Sequence, residues 1–151
     1  MKLWKRWYVK LIFALIAMVL IGIAFIVINN IQMGAVIYET IIPGDFNQSQ
    51  EIKFNLDEMN TACVISIDPR IESGMGEPDV YLEIFLYDPQ GNILLSIGSE
   101  TLFGGPIGEN ARQYEQKFNV QAADAGTYAL KITPLVIDIE EISVKIGVKE
   151  K

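Results

Sequence analysis

The chain has 151 residues, twelve basic and nineteen acidic side chains and a formal net charge of −7, a length that suits one ordinary domain plus a short extra segment. It holds no histidine and a single cysteine, which excludes Ser-His-Asp and Cys-His nucleophile systems as usually built, an intrachain disulfide and thiolate metal clusters. The charge is also split along the chain: Lys2, Lys5, Arg6 and Lys10 precede every acid, and from Glu39 onward eight bases stand against nineteen acids, a net of −11 with no basic stripe, so nucleic acid is not an expected partner.

The first predicted element is a helix. Leu11 to Ile28, "LIFALIAMVLIGIAFIVI", carries no charge, and ~18 residues rising ~1.5 Å each span ~27 Å, close to the ~30 Å of a bilayer's hydrocarbon core. The sequence therefore predicts a basic cytoplasmic tail over 1–10, a transmembrane helix over 11–31 and an extracytoplasmic domain over 32–151, because the four cations before the apolar run keep the amino terminus inside. A retained anchor is expected rather than a cleaved signal peptide, since the apolar run is long for a signal peptide and "NNIQMGAV" lacks a good small-x-small site.

After the helix the apolar pattern switches to strict alternation, the period of half-buried strands. Ile52, Phe54 and Leu56 share one face, Cys63, Ile65 and Ile67 another; Tyr114, Gln116, Phe118 and Val120 alternate with polar partners, as do Ile142, Val144, Ile146 and Val148. With "VIYETII", "DVYLEIFLYD", "NILLSI" and "TYALKIT", about eight strands emerge, separated by turn signals at Pro43-Gly44, Asp88 to Asn92 and Ala125-Gly126. No helical pattern interrupts them, so the expected fold class is all-β: a two-sheet antiparallel β-sandwich of jelly-roll or Greek-key connectivity, preceded by one transmembrane helix.

"DAGTYALKI", residues 124 to 132, has the form of an immunoglobulin tyrosine corner, but no cysteine lies two residues beyond Tyr128 and no tryptophan follows Trp7, so the core of a true immunoglobulin domain is absent. The expected role is physical: Gly126 relieves the turn, Asp124 accepts a backbone hydrogen bond, and Tyr128, Leu130 and Ile132 enter the core.

"DVYLEIFLYDPQGNILLS", residues 79 to 96, followed by the late Gly126-x-Tyr128 strand, resembles the strand, Asp-Pro-x-Gly turn and strand of bacterial pre-peptidase C-terminal domains and of Golgi-dynamics domains. The resemblance implies a jelly-roll-like sandwich serving as an accessory, protein- or glycan-binding module. One departure is plain: eukaryotic Golgi-dynamics proteins carry their anchor after the sandwich, and this chain carries its apolar helix before it.

The strand "DVYLEIFLY" is bulky on both faces, with Leu82, Ile84 and Leu86 on one and Tyr81, Glu83, Phe85 and Tyr87 on the other. Either loops of the chain cover the second set, or those residues form an aromatic patch for a protein or glycan partner. The segment "TLFGGPIGENARQ", residues 101 to 113, reads as a long loop in which Phe103 and Ile107 fold back on the sandwich or meet a partner. "TPLVIDIEE" crowds Leu135, Val136, Ile137 and Ile139 into a short connection. Asp68, Glu72, Glu77 and Asp79 are hard oxygen ligands in one loop, but their spacing fits no tight calcium pattern. Solvated loop charge is the expected reading, with no metal, no cofactor and no catalysis. Cys63, alternating with Ile65 and Ile67, reads as a buried small apolar side chain. The functional expectation is a membrane-anchored, non-catalytic binding or accessory module; the alternative is a structural or self-assembling envelope component, stabilised or not by calcium.

Overall fold

The computed structural model describes residues 2–72, 79–99, 102–103, 105–108 and 111–149. The chain divides into two units, Met1–Gln32 and Met33–Lys151. The first is a single helix, α1, Lys2–Met33, 32 residues long, which takes in the basic segment expected as a separate tail. Its described side chains from Leu11 to Ala24 are all exposed. Among the described residues no helix is long and apolar enough to cross a membrane; the side chains at 25, 26 and 29–32, within and just after the apolar run, lie outside them.

The second unit is built from strands β1 (Ala35–Pro43), β2 (Gln50–Leu56), β3 (Thr61–Ile71), β4 (Val80–Tyr87), β5 (Ile93–Ile97), β6 (Leu102–Phe103), β7 (Gly105–Gly108), β8 (Ala111–Gln113), β9 (Gln116–Ala122), β10 (Gly126–Pro134) and β11 (Ile139–Val148). One sheet has the order β1-β11-β3-β9, the other β2-β10-β4-β5 with β6 also on β4, and β7 and β8 form a hairpin. All pairings are antiparallel. Apart from the β4–β5 hairpin and the short strands that follow it, successive strands change sheet, which is the winding of a jelly roll and accounts for its non-local pairings.

The alternating residues do what their period demands. In the first sheet Ile146 pairs with Ile65 and Ile65 with Phe118, and Val144 pairs with Ile67; in the second Ile52 pairs with Leu130 and Leu130 with Leu86. These rows face inward and merge into one core. Cys63 is part of it, buried and with its thiol pKa pushed up by desolvation. Phe103 closes one side of the sandwich: β6 pairs with the start of β4, and the Phe103 ring meets Phe118 of the opposite sheet at 6.0 Å between centroids. What reads in sequence as one long loop at 101–113 thus contains β6, which carries Phe103 into the core, and the β7–β8 hairpin.

The corner before β10 forms as its sequence suggests. The Tyr128 hydroxyl donates to the main-chain carbonyl of Asp124 at 2.6 Å, the backbone bond that marks a tyrosine corner. The Tyr128 ring is buried and stacks on Phe54 at 5.7 Å. Gly126 sits at φ +139°, where a Cβ would strain the backbone and press on the Pro89 ring at 2.9 Å. The β4–β5 turn is fixed by Asp88, whose carboxylate accepts from the Gln90 amide at 2.9 Å, the Asn92 amide at 2.7 Å and the Asn92 side chain at 2.8 Å. These bonds, led by that of the Asn92 side chain, hold its pKa below the usual aspartate value.

Tyr128→Phe keeps the ring and removes one hydrogen bond, so it should cost about 1 kcal/mol. Burial raises the Tyr128 pKa above its ordinary 10.0; the stability tied to the neutral phenol is therefore complete below pH 10 and lost above it. Denaturant titrations should show the gap between the two proteins narrowing as pH rises past 10, and a gap independent of pH would contradict this reading of the corner.

Candidate functional site

The two sheets differ on their outer faces. On the first, Glu39 pairs with Lys145, Lys145 with Ser66, and Ser66 with Lys117 in successive registers, and this row is laced by polar contacts. Lys145 meets Glu39 at 2.9 Å and Lys117 meets Glu115 at 3.6 Å. The buried Ser66 hydroxyl donates to Glu115 Oε1 at 2.6 Å, and Arg70 bonds Glu141 at 3.0 Å. Farther along, Val64 and Gly147 are buried although they point outward, and a Cβ on Gly147 would collide with the Met33 carbonyl oxygen. The chain just before β1 therefore lies on this face at Gly147.

The outer face of the second sheet is of another kind. Its registers give a row of Lys53, Ala129, Tyr87 and Ile93, a row of Glu51, Lys131, Phe85 and Ser96, and the pair Thr133 and Glu83. Tyr81, Glu83, Phe85 and Tyr87 are all half-buried. The Phe85 and Tyr87 rings lie 6.3 Å apart at 37°, forming one aromatic shelf. Ile93 and Leu94, 55% and 38% exposed, extend it along the edge strand, and a register shift opposite Tyr87 lets Leu94 join them. On β10, Ala129 stands beside Tyr87 and Lys131 beside Phe85. The charges on this face, Glu51 and Glu83 against Lys53 and Lys131, balance, with Lys53 and Glu51 paired at 3.2 Å. An uncharged aromatic strip thus lies within an acidic unit.

Of the residues singled out in the sequence, the structure brings together Tyr81, Glu83, Phe85 and Tyr87 and adds Ile93 and Leu94. Nothing in "NILLSI" marks β5 as an edge strand, so the exposure of those two residues is not visible in the sequence. Phe103, read as folding back or meeting a partner, is fully buried and leaves the surface. Ile107 lies in β7, outside the residues whose side chains are described. Asp68 and Glu72 are exposed, on and just after β3, and Asp79 is exposed just before β4; Glu77 lies outside the described residues. Among the described residues no three His, Cys, Asp or Glu side chains are grouped to hold a metal. Partial desolvation and the nearby Glu115 carboxylate raise the Asp68 pKa, with Lys145 opposing them.

No protein-family profile matches the chain, and no curated protein matches it in sequence. Among solved structures it is similar to a protein from Sulfurospirillum deleyianum, with 11% identity over 76% of this chain and 99% of that one and a TM-score of 0.41. It is also similar to the K3 cleaved adhesin domain of Lys-gingipain from Porphyromonas gingivalis, with 13% identity, 68% and 64% covered, and a TM-score of 0.41. A family 35 carbohydrate binding module from Clostridium thermocellum gives 12% identity, 74% and 88% covered, and a TM-score of 0.35. Likenesses of this size carry no argument about ligand or activity; the jelly roll rests on the strand order itself.

Because its folded pKa is raised, ionised Asp68 costs stability at neutral pH, and the cost disappears as pH falls through that pKa. Asp68→Asn should therefore raise the melting temperature at pH 7, with the gap closing below the ordinary carboxyl value of 3.8. A lower melting temperature for the variant at pH 7 would contradict the electrostatics of this face.

Proposed function

We propose that the chain is a membrane-anchored, non-catalytic binding module. In this reading α1 crosses the membrane with the amino terminus in the cytoplasm, and the sandwich lies outside and takes a protein or glycan partner on the outer face of its second sheet. One observation carries the binding surface: the outer face of the first sheet is filled by ion pairs and by the Met33 segment, whereas that of the second presents Tyr81, Phe85, Tyr87, Ile93 and Leu94 half-buried or exposed. Solvent-facing sheet surfaces are ordinarily polar, and contiguous exposed aromatic and aliphatic side chains mark interaction sites. Tyr and Phe give large contact area with few rotatable bonds to freeze. The anchor is supported by the uncharged run from Leu11 to Ile28, by the exposure of the described side chains of α1, and by four cations before the run with none after it until Lys53. The absence of histidine from the sequence favours recognition over catalysis.

The test is recovery of partners by the full-length protein from gently solubilised native membranes, beside a Phe85→Ala, Tyr87→Ala variant. Both side chains are half-exposed, so the variant should fold with a similar melting temperature. Aromatic anchors at interface centres are worth ~2 kcal/mol or more, so affinity should fall by on the order of thirtyfold. Undiminished recovery by the folded variant would exclude this face, and recovery of no partner by either protein would favour a structural envelope component.

A further inference from the structure

The connection between β10 and β11 was conspicuously apolar in sequence, and the structure divides its residues. Val136 packs against the core and Ile139 is buried, but Ile137 stands at a turn, 67% exposed. Beside it lies the β1–β2 turn, closed by the Gln48 amide donating to the Asp45 carbonyl at 3.1 Å, with Asn47 in the left-handed region at φ 57°. The corner of that turn is Phe46, 49% exposed. Two backbone hydrogen bonds lace the connections together: Gly44 donates to Glu140 at 3.1 Å and Asn47 to Pro134 at 2.9 Å. Phe46 thus falls between the two donors and Ile137 between the two acceptors, so the two side chains share one end of the sandwich. Turn corners favour Gly, Pro, Asn, Asp and Ser. A large exposed apolar side chain at each of two laced corners contributes little to folding.

The surroundings are anionic. Asp45 and Asp138 flank the pair in sequence, and the Glu72 amide donates to the Asp138 carbonyl at 2.9 Å, bringing a third carboxylate alongside. Residues 43–50 and 134–140 contain no lysine or arginine. Arg70, at the adjacent end of β3, is engaged by Glu140 at 3.6 Å and Glu141 at 3.0 Å. This is the end of β1 that pairs with Glu141, away from the end that pairs with Val148 and follows Met33.

We propose that this tip is a second docking surface, on which Phe46 and Ile137 enter an apolar pocket of a protein whose rim is lined by lysine and arginine. Charge selects the occupant: a second copy brings the same anionic rim and an acidic lipid surface brings more negative charge, whereas a basic rim is attracted and oriented by Asp45, Glu72 and Asp138. The surface adjoins the Tyr81 end of the aromatic face, since the Leu135 amide donates to the Tyr81 carbonyl at 3.0 Å, but it rests on different side chains.

The test places a photoreactive benzoylphenylalanine at position 46, and separately at 137, in the full-length chain in its native membranes, with position 59 as a control because Met59 is 62% exposed elsewhere on the sandwich. Positions 46 and 137 should label the same protein, at sites flanked by lysine or arginine, and position 59 should not. Labelling should fall about tenfold in Asp45→Asn, Asp138→Asn, or when ionic strength rises from about 0.05 to about 0.5 M. Adducts only with lipid or with another copy of the chain, labelling insensitive to charge and salt, or no adduct at all would each overturn the proposal.

Discussion

The arrangement depends on excluding water from between two sheets. Rows of isoleucine, leucine and valine from β11 and β3 on one side and from β10 and β4 on the other meet in one core, with Ile65, Ile132, Ile142 and Leu82 wholly inaccessible. Truncating such a side chain to alanine typically costs about 2–5 kcal/mol, a large fraction of the stability of a domain this size. No disulfide assists, since Cys63 is itself one of the buried apolar residues. The corner at Tyr128, the Asp88 turn and the Phe103 strap each fix a connection around that core, and Tyr128 and Phe103 are themselves part of it.

That constraint also explains which features were legible in the sequence. Period-two alternation requires one face in and one face out, so Ile52, Phe54 and Leu56, or Ile142, Val144 and Ile146, declare their orientation without any knowledge of their neighbours. Strand order is different: it follows from which rows fit together across long sequence separations, and nothing local in "TACVISID" states that β3 lies between β11 and β9. Phe103 was ambiguous for the same reason, because its partner Phe118 belongs to a strand beginning beyond the loop. The four residues of the candidate face on β4 were legible because a strand bulky on both sides is visible in sequence. Ile93 and Leu94 were not, because their exposure follows from β5 being an edge strand, which only the pairing reveals. Asp88 and Gly126 were legible as turns, though not the contact of Gly126 with Pro89.

The two outer faces divide the work of the sandwich. Ion pairs occupy one, so its charges are largely spent on one another, and Met33 covers it at Gly147. The other keeps balanced charges and an aromatic shelf within a unit whose net charge is strongly negative, so contact there can be made by apolar burial without opposing a large like charge. In the proposed reading, confinement at a membrane would raise the effective concentration of partners in the same plane, so only modest intrinsic affinity would be needed.

The most direct measurement is hydroxyl-radical footprinting generated outside intact cells, compared with the purified full-length protein in micelles. Phe85 and Tyr87 should be oxidised in micelles and several-fold protected on cells, while Met59 should be oxidised in both and so report that the sandwich lies outside. Equal oxidation of Phe85 and Tyr87 in the two settings, with Met59 labelled, would contradict the assignment of that face to a partner.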